Sequence, residues 1–419
     1  MTDKKSKYFY GYIVLVAAFI SRLVMYGPRE SYGVFFKPMQ ADFDWSRALI
    51  SGAYSASVIV QGLVAIIMGG LNDRLGPRVV ITLCGVLIGA GYLLMSQVNF
   101  AWQLYLFYVL VVGVGMGGNF APLLSTVARW FVKKRSMVTG IVIAGGGIGV
   151  IIASPVANWL ISKYEWRISY LILGALVLII ILIAAQFLKR DPAKMGQVPY
   201  GENEEKEHRL ETATEEFTLL EATHTRQLWM EIAMMFCFGL CGATIIVHIV
   251  PHATDLGIST TTAANILASR GMAILTGGII MGVVADRIGR RQSFAVCFVL
   301  MSAAFFWLFV ATEVWMLYLF IIVFGFSSGG LASLQSPLIA ELFGMTSHGL
   351  ILGVSAFSYT VGAAIGPFLA GYVFDISGSY QVSFIVCVVA SVTGLMLAVT
   401  LRPVKKPGNI TGVPLSRFQ

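Results

Sequence analysis

Two short stretches of this chain decide its fold: Gly-Gly-Leu-Asn-Asp-Arg-Leu-Gly-Pro-Arg at 69–78 and Gly-Val-Val-Ala-Asp-Arg-Ile-Gly-Arg-Arg at 282–291. Each stretch follows a long apolar run, and their aspartates, Asp73 and Asp286, are 213 residues apart. Gly140 and Gly353 are separated by the same offset. A loop and a glycine that recur at one offset indicate that the second half of the chain repeats the first. The sequence therefore predicts a protein of two related halves.

The amino-acid composition is typical of a protein embedded in lipid. Of the 419 residues 57% are hydrophobic and 12% charged, and 29 Lys and Arg against 21 Asp and Glu give a net charge of +8. Soluble domains are about 25% charged, so this chain lacks the polar residues needed to cover a water-facing surface. The basic excess lies in short loops between apolar runs. The composition excludes a soluble enzyme, a disordered chain and a nucleic-acid-binding protein.

Twelve apolar runs are long enough to cross a membrane as helices. A crossing helix needs roughly 20 mostly apolar residues, whereas a barrel strand needs roughly 10. The predicted fold is therefore an all-α integral membrane protein with twelve transmembrane helices. We number the runs spans 1 to 12 in chain order: 10–36, 48–71, 78–97, 103–130, 137–162, 167–188, 227–252, 260–285, 292–311, 315–342, 350–374 and 381–401.

The charge of the loops orients the chain in the membrane, because cytoplasmic loops carry an excess of Lys and Arg. With the N-terminus inside, sixteen Lys and Arg outside the central polar segment lie on the cytoplasmic side. Four lie on the opposite side, namely Lys37, Arg47, Lys163 and Arg167. The sequence therefore predicts that both termini are cytoplasmic.

A polar segment, 189–226, interrupts the apolar pattern and divides the spans six and six. We predict an N-terminal six-helix bundle (1–188), a cytoplasmic linker (189–226) with a short surface helix near 217–226, a C-terminal six-helix bundle (227–401) and a cytoplasmic tail (402–419). Because the halves repeat each other, we expect pseudo-two-fold symmetry between the bundles. Many secondary transporters are built from such repeats.

The duplicated loops resemble the fingerprint of the major facilitator superfamily, which has one copy in each half. Further stretches resemble the bacterial monocarboxylate transporters and oxalate:formate antiporters of that superfamily. The resemblance covers nearly the whole chain apart from the linker and the tail. Its motifs are Tyr26-Gly-Pro-Arg-Glu-Ser-Tyr-Gly-Val-Phe-Phe36, Phe43-Asp-Trp-Ser-Arg47, Ala128-Arg-Trp-Phe-Val-Lys-Lys-Arg-Ser-Met-Val-Thr-Gly140 and His248-Ile-Val-Pro-His-Ala-Thr-Asp-Leu-Gly257.

This resemblance implies a secondary active transporter that works by alternating access in a bacterial inner membrane. We expect it to carry a small organic anion, a monocarboxylate such as lactate or pyruvate, in symport with a proton. The group often has an Arg in span 8 where this chain has Gly278, and Ser358-Tyr-Thr-Val-Gly362 of span 11 lacks the Lys of the oxalate-type antiporters. These two departures leave the identity of the substrate open.

Other functions remain as alternatives. The first is an organic-anion antiporter of the oxalate:formate type, and the second is export of a larger hydrophobic compound. A non-transporting membrane sensor on a transporter scaffold is the alternative from another class. No nucleophile, metal-ligand set or acid–base pair is visible in the sequence, so we expect neither an enzyme nor a cofactor. Twelve spans can enclose their own path, so we expect a monomer.

Ionisable side chains are rare inside the spans, where they cost about 2.5–3.5 kcal/mol on insertion scales and usually face a cavity. Arg22, Arg29 and Arg270 at depth outnumber Glu30, which favours an anionic substrate. We expect Arg270 to bind the substrate carboxylate. Alternatively, it is a structural residue paired with a helix carbonyl or with Glu30. Pro28 removes a backbone donor and is expected to kink span 1 near these residues.

Glu30 is also the leading candidate for carrying the coupled proton, although Arg29 and Glu30 suit a mutually neutralising pair equally well. His248 is expected to carry a proton or to hydrogen-bond the substrate; alternatively, it is a neutral histidine that caps a carbonyl near Pro251. Arg22 has either a cavity-lining or a structural role. The further residues expected to line the substrate site are Tyr26, Arg29, Asn119, Gln335, Phe357 and Tyr359.

The duplicated loops also predict a conformational latch at the cytoplasmic side. An Asp beside an Arg at a helix end can pair with basic groups of the neighbouring bundle in one state and release them in the other. The alternative is a basic loop that only sets the topology. The predicted latch residues are Asp73, Arg74, Arg78, Asp286, Arg287 and Arg290.

Overall fold

The computed structural model describes residues 9–131, 135–200, 217–344 and 347–402. Most of these residues are helical, and within the described ranges ten helices are long and apolar enough to cross a membrane. The predicted all-α membrane fold is confirmed. Spans 2, 3 and 7 to 12 are the single helices Arg47–Leu75, Pro77–Met95, Arg226–Asp255, Thr260–Ile288, Arg290–Leu308, Val314–Phe343, His348–Ser377 and Gln381–Thr400.

Span 1 consists of two helices, Gly11–Glu30 and Tyr32–Phe43, that meet at Ser31. Pro28 precedes the break and leaves one carbonyl of the preceding turn without a backbone donor. At the break, the hydroxyl and the backbone N–H of Ser31 both donate to the carbonyl oxygen of Gly27, at 3.0 and 3.2 Å. The expected kink is therefore present, and it lies directly after Arg29 and Glu30.

Spans 5 and 6 are joined in one helical stretch, Arg135–Phe187, which is broken at Glu165. At Glu165 the backbone has φ 70° and ψ 165°, outside the helical region. Because this residue lies between the two predicted spans, the stretch accounts for both.

The prediction that span 4 is a single helix is wrong, because the structure divides the span into four helical segments. Its segments are the helix Ala101–Leu104, the π-helix Tyr105–Val112, the helix Gly113–Met116 and, after four residues in turns, the helix Ala121–Trp130. Glycine is a poor helix former, and four glycines occur between 113 and 118. Pro122 suits the first turn of a new helix because its missing N–H is not needed there.

The linker contains the short helix that the sequence predicts near 217–226, at Leu219–Thr223. Thr218 caps it by accepting from the Glu221 N–H at 3.3 Å, and the Glu221 carboxylate accepts from the Thr218 N–H at 2.8 Å. This reciprocal capping box satisfies two backbone donors that would otherwise lack partners.

Glycines allow the two halves to approach each other closely. Span 5 crosses span 8 where a Cβ added at Gly271 would lie 2.4 Å from the carbonyl oxygen of Gly147. Spans 1 and 7 meet similarly, since a Cβ at Gly33 would lie 2.8 Å from the carbonyl oxygen of Ile246. Small residues at helix crossings permit such backbone contacts in membrane proteins. The first crossing brings Arg270, the residue before Gly271, to the boundary between the halves.

Replacing Gly271 with Ala is expected to destabilise the protein, because the new methyl group would meet the backbone of Gly147. Overpacking of this kind costs about 1–3 kcal/mol. Gly282→Ala in the same helix is the matched control, since a Cβ there meets nothing within 4 Å and Ala favours a helix over Gly by up to about 1 kcal/mol. Thermal unfolding of the purified protein in detergent should give a lower Tm for G271A and an unchanged or higher Tm for G282A. Equal Tm values would argue against a close crossing at Gly271.

Candidate functional site

A buried ion pair joins the two halves at the centre of the structure. Nη1 of Arg270, in span 8, lies 3.0 Å from Oε2 of Glu30, in span 1. Nη1 of Arg29 lies 3.7 Å from Oε1 of the same carboxylate. Glu30 is 1% exposed and Arg270 is 4% exposed. Two guanidinium groups therefore surround one carboxylate out of contact with bulk water, and the group carries a net positive charge.

Tyrosines surround this ion pair. Tyr26 and Tyr359 both interact electrostatically with Glu30 and Arg270. The guanidinium of Arg29 lies 5.1 Å from the ring centroid of Tyr54, within the range of a cation–π contact. Tyr26, Arg29, Arg270 and Tyr359, four of the residues expected to line the substrate site, thus lie around Glu30. The contact of Arg270 with Glu30 is the pairing given above as the alternative to substrate binding.

Tyr54, by contrast, was not predicted as a site residue. Nothing in its local sequence distinguishes it from a packing aromatic, because its role depends on the position of Arg29 in another span.

Arg22 caps the break in span 4. Its Nη1 donates to the carbonyl oxygen of Asn119 at 2.9 Å, and its guanidinium lies 4.5 Å from the Tyr26 ring and 5.3 Å from the Phe120 ring. Irregular backbone at membrane depth needs partners inside the protein, and Arg22 is such a partner. This contact agrees with the structural role weighed for Arg22, while its place beside Tyr26 keeps it next to the site.

Several buried polar atoms in this region have no hydrogen-bond partner among the described residues. They are Nε of Arg22, Nη2 of Arg29, both side-chain amide atoms of Asn119 and Nε of Arg270. Buried polar groups are normally hydrogen-bonded, so a cluster of exceptions requires an explanation. These atoms have unused capacity to hydrogen-bond a polar ligand.

His248 lies outside this group. Its Nδ1 is 3.0 Å from the hydroxyl of Tyr380, and its Nε2 is 2.9 Å from the carbonyl oxygen of Pro367 in span 11. This arrangement corresponds to the carbonyl-capping alternative, although the carbonyl belongs to Pro367 and is not near Pro251. Tyr380 also accepts from Nη1 of Arg47 at 2.7 Å, so His248 is linked to the predicted outer end of the protein.

At that end, a polar network closes the two halves against each other. Arg47, at the start of span 2, lies 2.8 Å from Asp255 at the end of span 7, and Lys37 lies 2.7 Å from the same carboxylate. Asp375 of span 11 accepts from the backbone N–H groups of Arg47 and Ala48 at 2.9 and 2.8 Å. A carboxylate at a helix N-terminus is favourable because the unpaired N–H groups carry partial positive charge. We call these contacts the outer closure.

Several glycines at the predicted cytoplasmic end have free space around them. A Cβ added at any of five glycines there would meet nothing within 4 Å: Gly69, Gly70, Gly140, Gly282 and Gly353. Arg290 of the predicted latch pairs with Glu341 of its own half at 3.5 Å. The side chains of Asp73 and Asp286 lie outside the described part of the structure, so the latch stays a prediction. The ion pairs of Asp255 with Lys37 and Arg47 thus join the two halves at the outer end.

The remaining predicted site residues are elsewhere. Gln335 donates to the hydroxyl of Ser355 at 2.6 Å, and Ser355 donates to the carboxylate of Glu231. Phe357 has an exposed side chain, 47% accessible. Glu231 was missed by the sequence analysis, which took Glu30 as the carboxylate at depth, although Glu231 is the fifth residue of predicted span 7 and could have been found by its charge.

Comparison with known proteins reveals the family. The family model described as Major Facilitator Superfamily matches residues 14–254 and 232–417. Monocarboxylate transporter 13 of Rattus norvegicus is 28% identical over 407 residues, which cover 94% of this chain and 89% of that protein. Monocarboxylate transporter 7 of Homo sapiens is 26% identical over 453 residues, with 94% of this chain and 87% of the relative covered.

A solved structure shares the fold. It is the crystal structure of a bacterial homolog to the human lysosomal transporter Spinster, in an inward-facing and unoccupied conformation. The TM-score is 0.72 at 16% sequence identity, and the alignment covers 94% of this chain and 98% of that chain. The family match and the transporter-named relatives confirm the superfamily indicated by the duplicated loops and identify a multi-pass membrane transporter, not an enzyme. The chain belongs to the major facilitator superfamily.

Proposed function

We propose that this protein carries a small monocarboxylate, such as lactate or pyruvate, together with a proton by alternating access. The observation that carries the proposal is the buried 3.0 Å contact of Arg270 with Glu30 at the boundary between the halves. A guanidinium binds a carboxylate through charge-assisted hydrogen bonds, which are stronger than neutral ones. The similarity to proteins named monocarboxylate transporters supports the same class of substrate.

Glu30 occupies, in this conformation, the place beside Arg270 that a substrate carboxylate would take. While Glu30 is ionised, it competes with the substrate for the guanidinium. When Glu30 accepts a proton, its charge is lost and Arg270 becomes free to bind the anion. One proton and one monocarboxylate then enter together, so the net charge of the site is unchanged by loading. Loading therefore adds no further uncompensated charge to the buried site, where each such charge would cost several kcal/mol.

The unpartnered atoms around the pair suit the rest of such a substrate. Lactate and pyruvate each have a carboxylate and one further oxygen on the neighbouring carbon. In the proposal, Arg270 and Arg29 bind the carboxylate, and the amide of Asn119 binds the further oxygen. Tyr26 and Tyr359 enclose the substrate between the halves.

The outer closure is the gate in this scheme. Substrate reaches Arg270 from outside when Arg47 separates from Asp255 and Tyr380, and His248 follows Tyr380 because the two are hydrogen-bonded. The latch residues close the opposite end when the outer closure opens.

We further propose that this opposite end and both termini are cytoplasmic and that the membrane is a bacterial inner membrane.

Arg270→Ala is expected to reduce uptake of labelled lactate into proteoliposomes by more than about tenfold. Removing one partner of a buried charge pair typically costs about 2–5 kcal/mol of binding, and 1.4 kcal/mol corresponds to a factor of ten. Arg167→Ala is the control, because Arg167 pairs with Asp42 within the N-terminal half and should leave uptake nearly unchanged. Full uptake by R270A would remove this residue from the substrate site.

Glu30→Gln is expected to separate exchange from accumulation. The amide resembles the protonated carboxyl, so Arg270 stays free and labelled lactate should still exchange with unlabelled lactate across the vesicle membrane. Accumulation driven by an inward proton gradient should be lost, because the variant has no proton to release at this site. The measurement compares counterflow with gradient-driven uptake in the same vesicles. If E30Q accumulates lactate at the wild-type level, another group carries the proton. If exchange by the unsubstituted protein does not respond to a pH gradient, the protein is better described as an anion antiporter.

Arg47→Ala is expected to open the outer end in a larger fraction of molecules. Spin labels at the exposed positions Ala41 and Ile376, one in each half, report the distance by double electron–electron resonance. The variant should show a longer distance component than the unsubstituted protein with the same labels. Arg167→Ala again serves as the control and should keep the short distance. A distance distribution in R47A identical to that of the control would show that the outer closure does not depend on Arg47.

A further inference from the structure

Two carboxylates are buried among the described residues, and their surroundings differ. Glu30 has Arg270 at 3.0 Å and Arg29 at 3.7 Å. Glu231, in span 7, is 0% exposed and forms no ion pair among the described residues. Its Oε1 accepts a hydrogen bond from Ser355, and its Oε2 has no hydrogen-bond partner among the described atoms. One carboxylate is therefore compensated by cations and the other is not.

The helices that pack against span 7 at this depth bring neutral groups to Glu231. Ser355 of span 11 donates to Glu231, and Gln335 of span 10 donates to Ser355. Ser358 of span 11 donates to the carbonyl oxygen of Ile232, the residue after Glu231, and span 12 has no charged residue between Gln381 and Thr400. Described cationic groups near this end include His224, Arg226 and Arg287, all three exposed, and none of them forms an ion pair with Glu231. Two other charged residues there, Glu221 and Glu341, are carboxylates and cannot compensate its charge.

An ionised carboxylate cannot remain in such a place cheaply. Burial of an unpaired charge costs several kcal/mol even after the protein relaxes, and groups in this position usually become neutral. Glu231 has one hydrogen bond, from the neutral donor Ser355, and even two such bonds would not replace a cation. A bound proton removes the charge, and the unpartnered Oε2 is the atom left to carry it, since Oε1 already accepts from Ser355.

A polar path leads from this carboxylate toward the surface. Gln335, which donates to Ser355, is only partly buried. Glu231 is also the sixth residue of the helix Arg226–Asp255, roughly 8 Å from its start at 1.5 Å per residue. The carboxylate therefore lies near the end of the molecule opposite the outer closure, which is predicted to be cytoplasmic.

We propose that Glu231 is a second proton-binding site of the carrier, separate from Glu30, and that it holds a proton while the outer end is closed. For its part in transport this inference rests on the proposed proton coupling. The site connects spans 7, 10 and 11 through the Glu231–Ser355–Gln335 chain. Gain or loss of the proton changes the charge at that junction, and so makes the packing of these three helices sensitive to cytoplasmic pH.

Infrared difference spectroscopy during pH titration tests this proposal on the purified full-length protein in lipid nanodiscs. The unsubstituted protein should show a C=O stretching band of a protonated carboxyl that changes with pH. Glu231→Gln should lose this band, whereas Glu30→Gln should keep it. Ser355→Ala retains the carboxyl but removes its donor, so its band should persist and move to higher frequency.

An unchanged band in E231Q, or a band in S355A at the wild-type frequency, would overturn the assignment. If E231Q does not fold, S355A still decides the question, because only a proton held beside Ser355 can produce the frequency shift. The experiment contains no substrate. It can therefore fail while lactate transport is confirmed, and it can succeed while the proposed substrate is wrong.

Discussion

The structure depends on the cost of placing an ionised carboxylate inside a membrane protein. Glu30 lies at the break of span 1 and is almost completely buried, so it needs a cation. Arg270, which provides the closer cation at 3.0 Å, comes from the other half of the chain. The contact exists because Gly271 and Gly147 allow spans 5 and 8 to cross at backbone distance. Helix packing and the electrostatics of the site are thus two parts of one arrangement, since loosening the crossing would leave Glu30 with Arg29 alone at 3.7 Å.

The two ends of the molecule differ in the ion pairs that their described residues form. At the outer end Arg47 and Lys37 of one half contact Asp255 of the other, and Asp375 accepts from the first N–H groups of span 2. At the opposite end Arg290 pairs with Glu341 of its own half. The central ion pair lies between these ends. In the proposed mechanism, a substrate that replaces Glu30 beside Arg270 alters the contact between the halves at a point between the two ends.

Much of the architecture could be predicted from the sequence because apolar length and a duplicated loop are local signals. The break in span 4 could not, since residues 103–130 form one apolar run and the break is stabilised by Arg22, whose guanidinium binds the Asn119 carbonyl from another span. The sequence also could not decide whether Arg270 binds the substrate or pairs with another residue of the protein. Its partner Glu30 is 240 residues away in the sequence, so the pairing depends on the fold. His248 was placed near the substrate, whereas contacts with Tyr380 and Pro367 connect it to the outer closure.

The central claim is that a monocarboxylate displaces Glu30 from Arg270 only when Glu30 becomes protonated. The most direct measurement is the number of protons taken up when lactate binds to the purified protein, obtained by isothermal titration calorimetry in buffers of different ionisation enthalpy. The account predicts uptake of about one proton per lactate bound near neutral pH, because the site must keep its net charge. Binding of lactate without any proton uptake would contradict it.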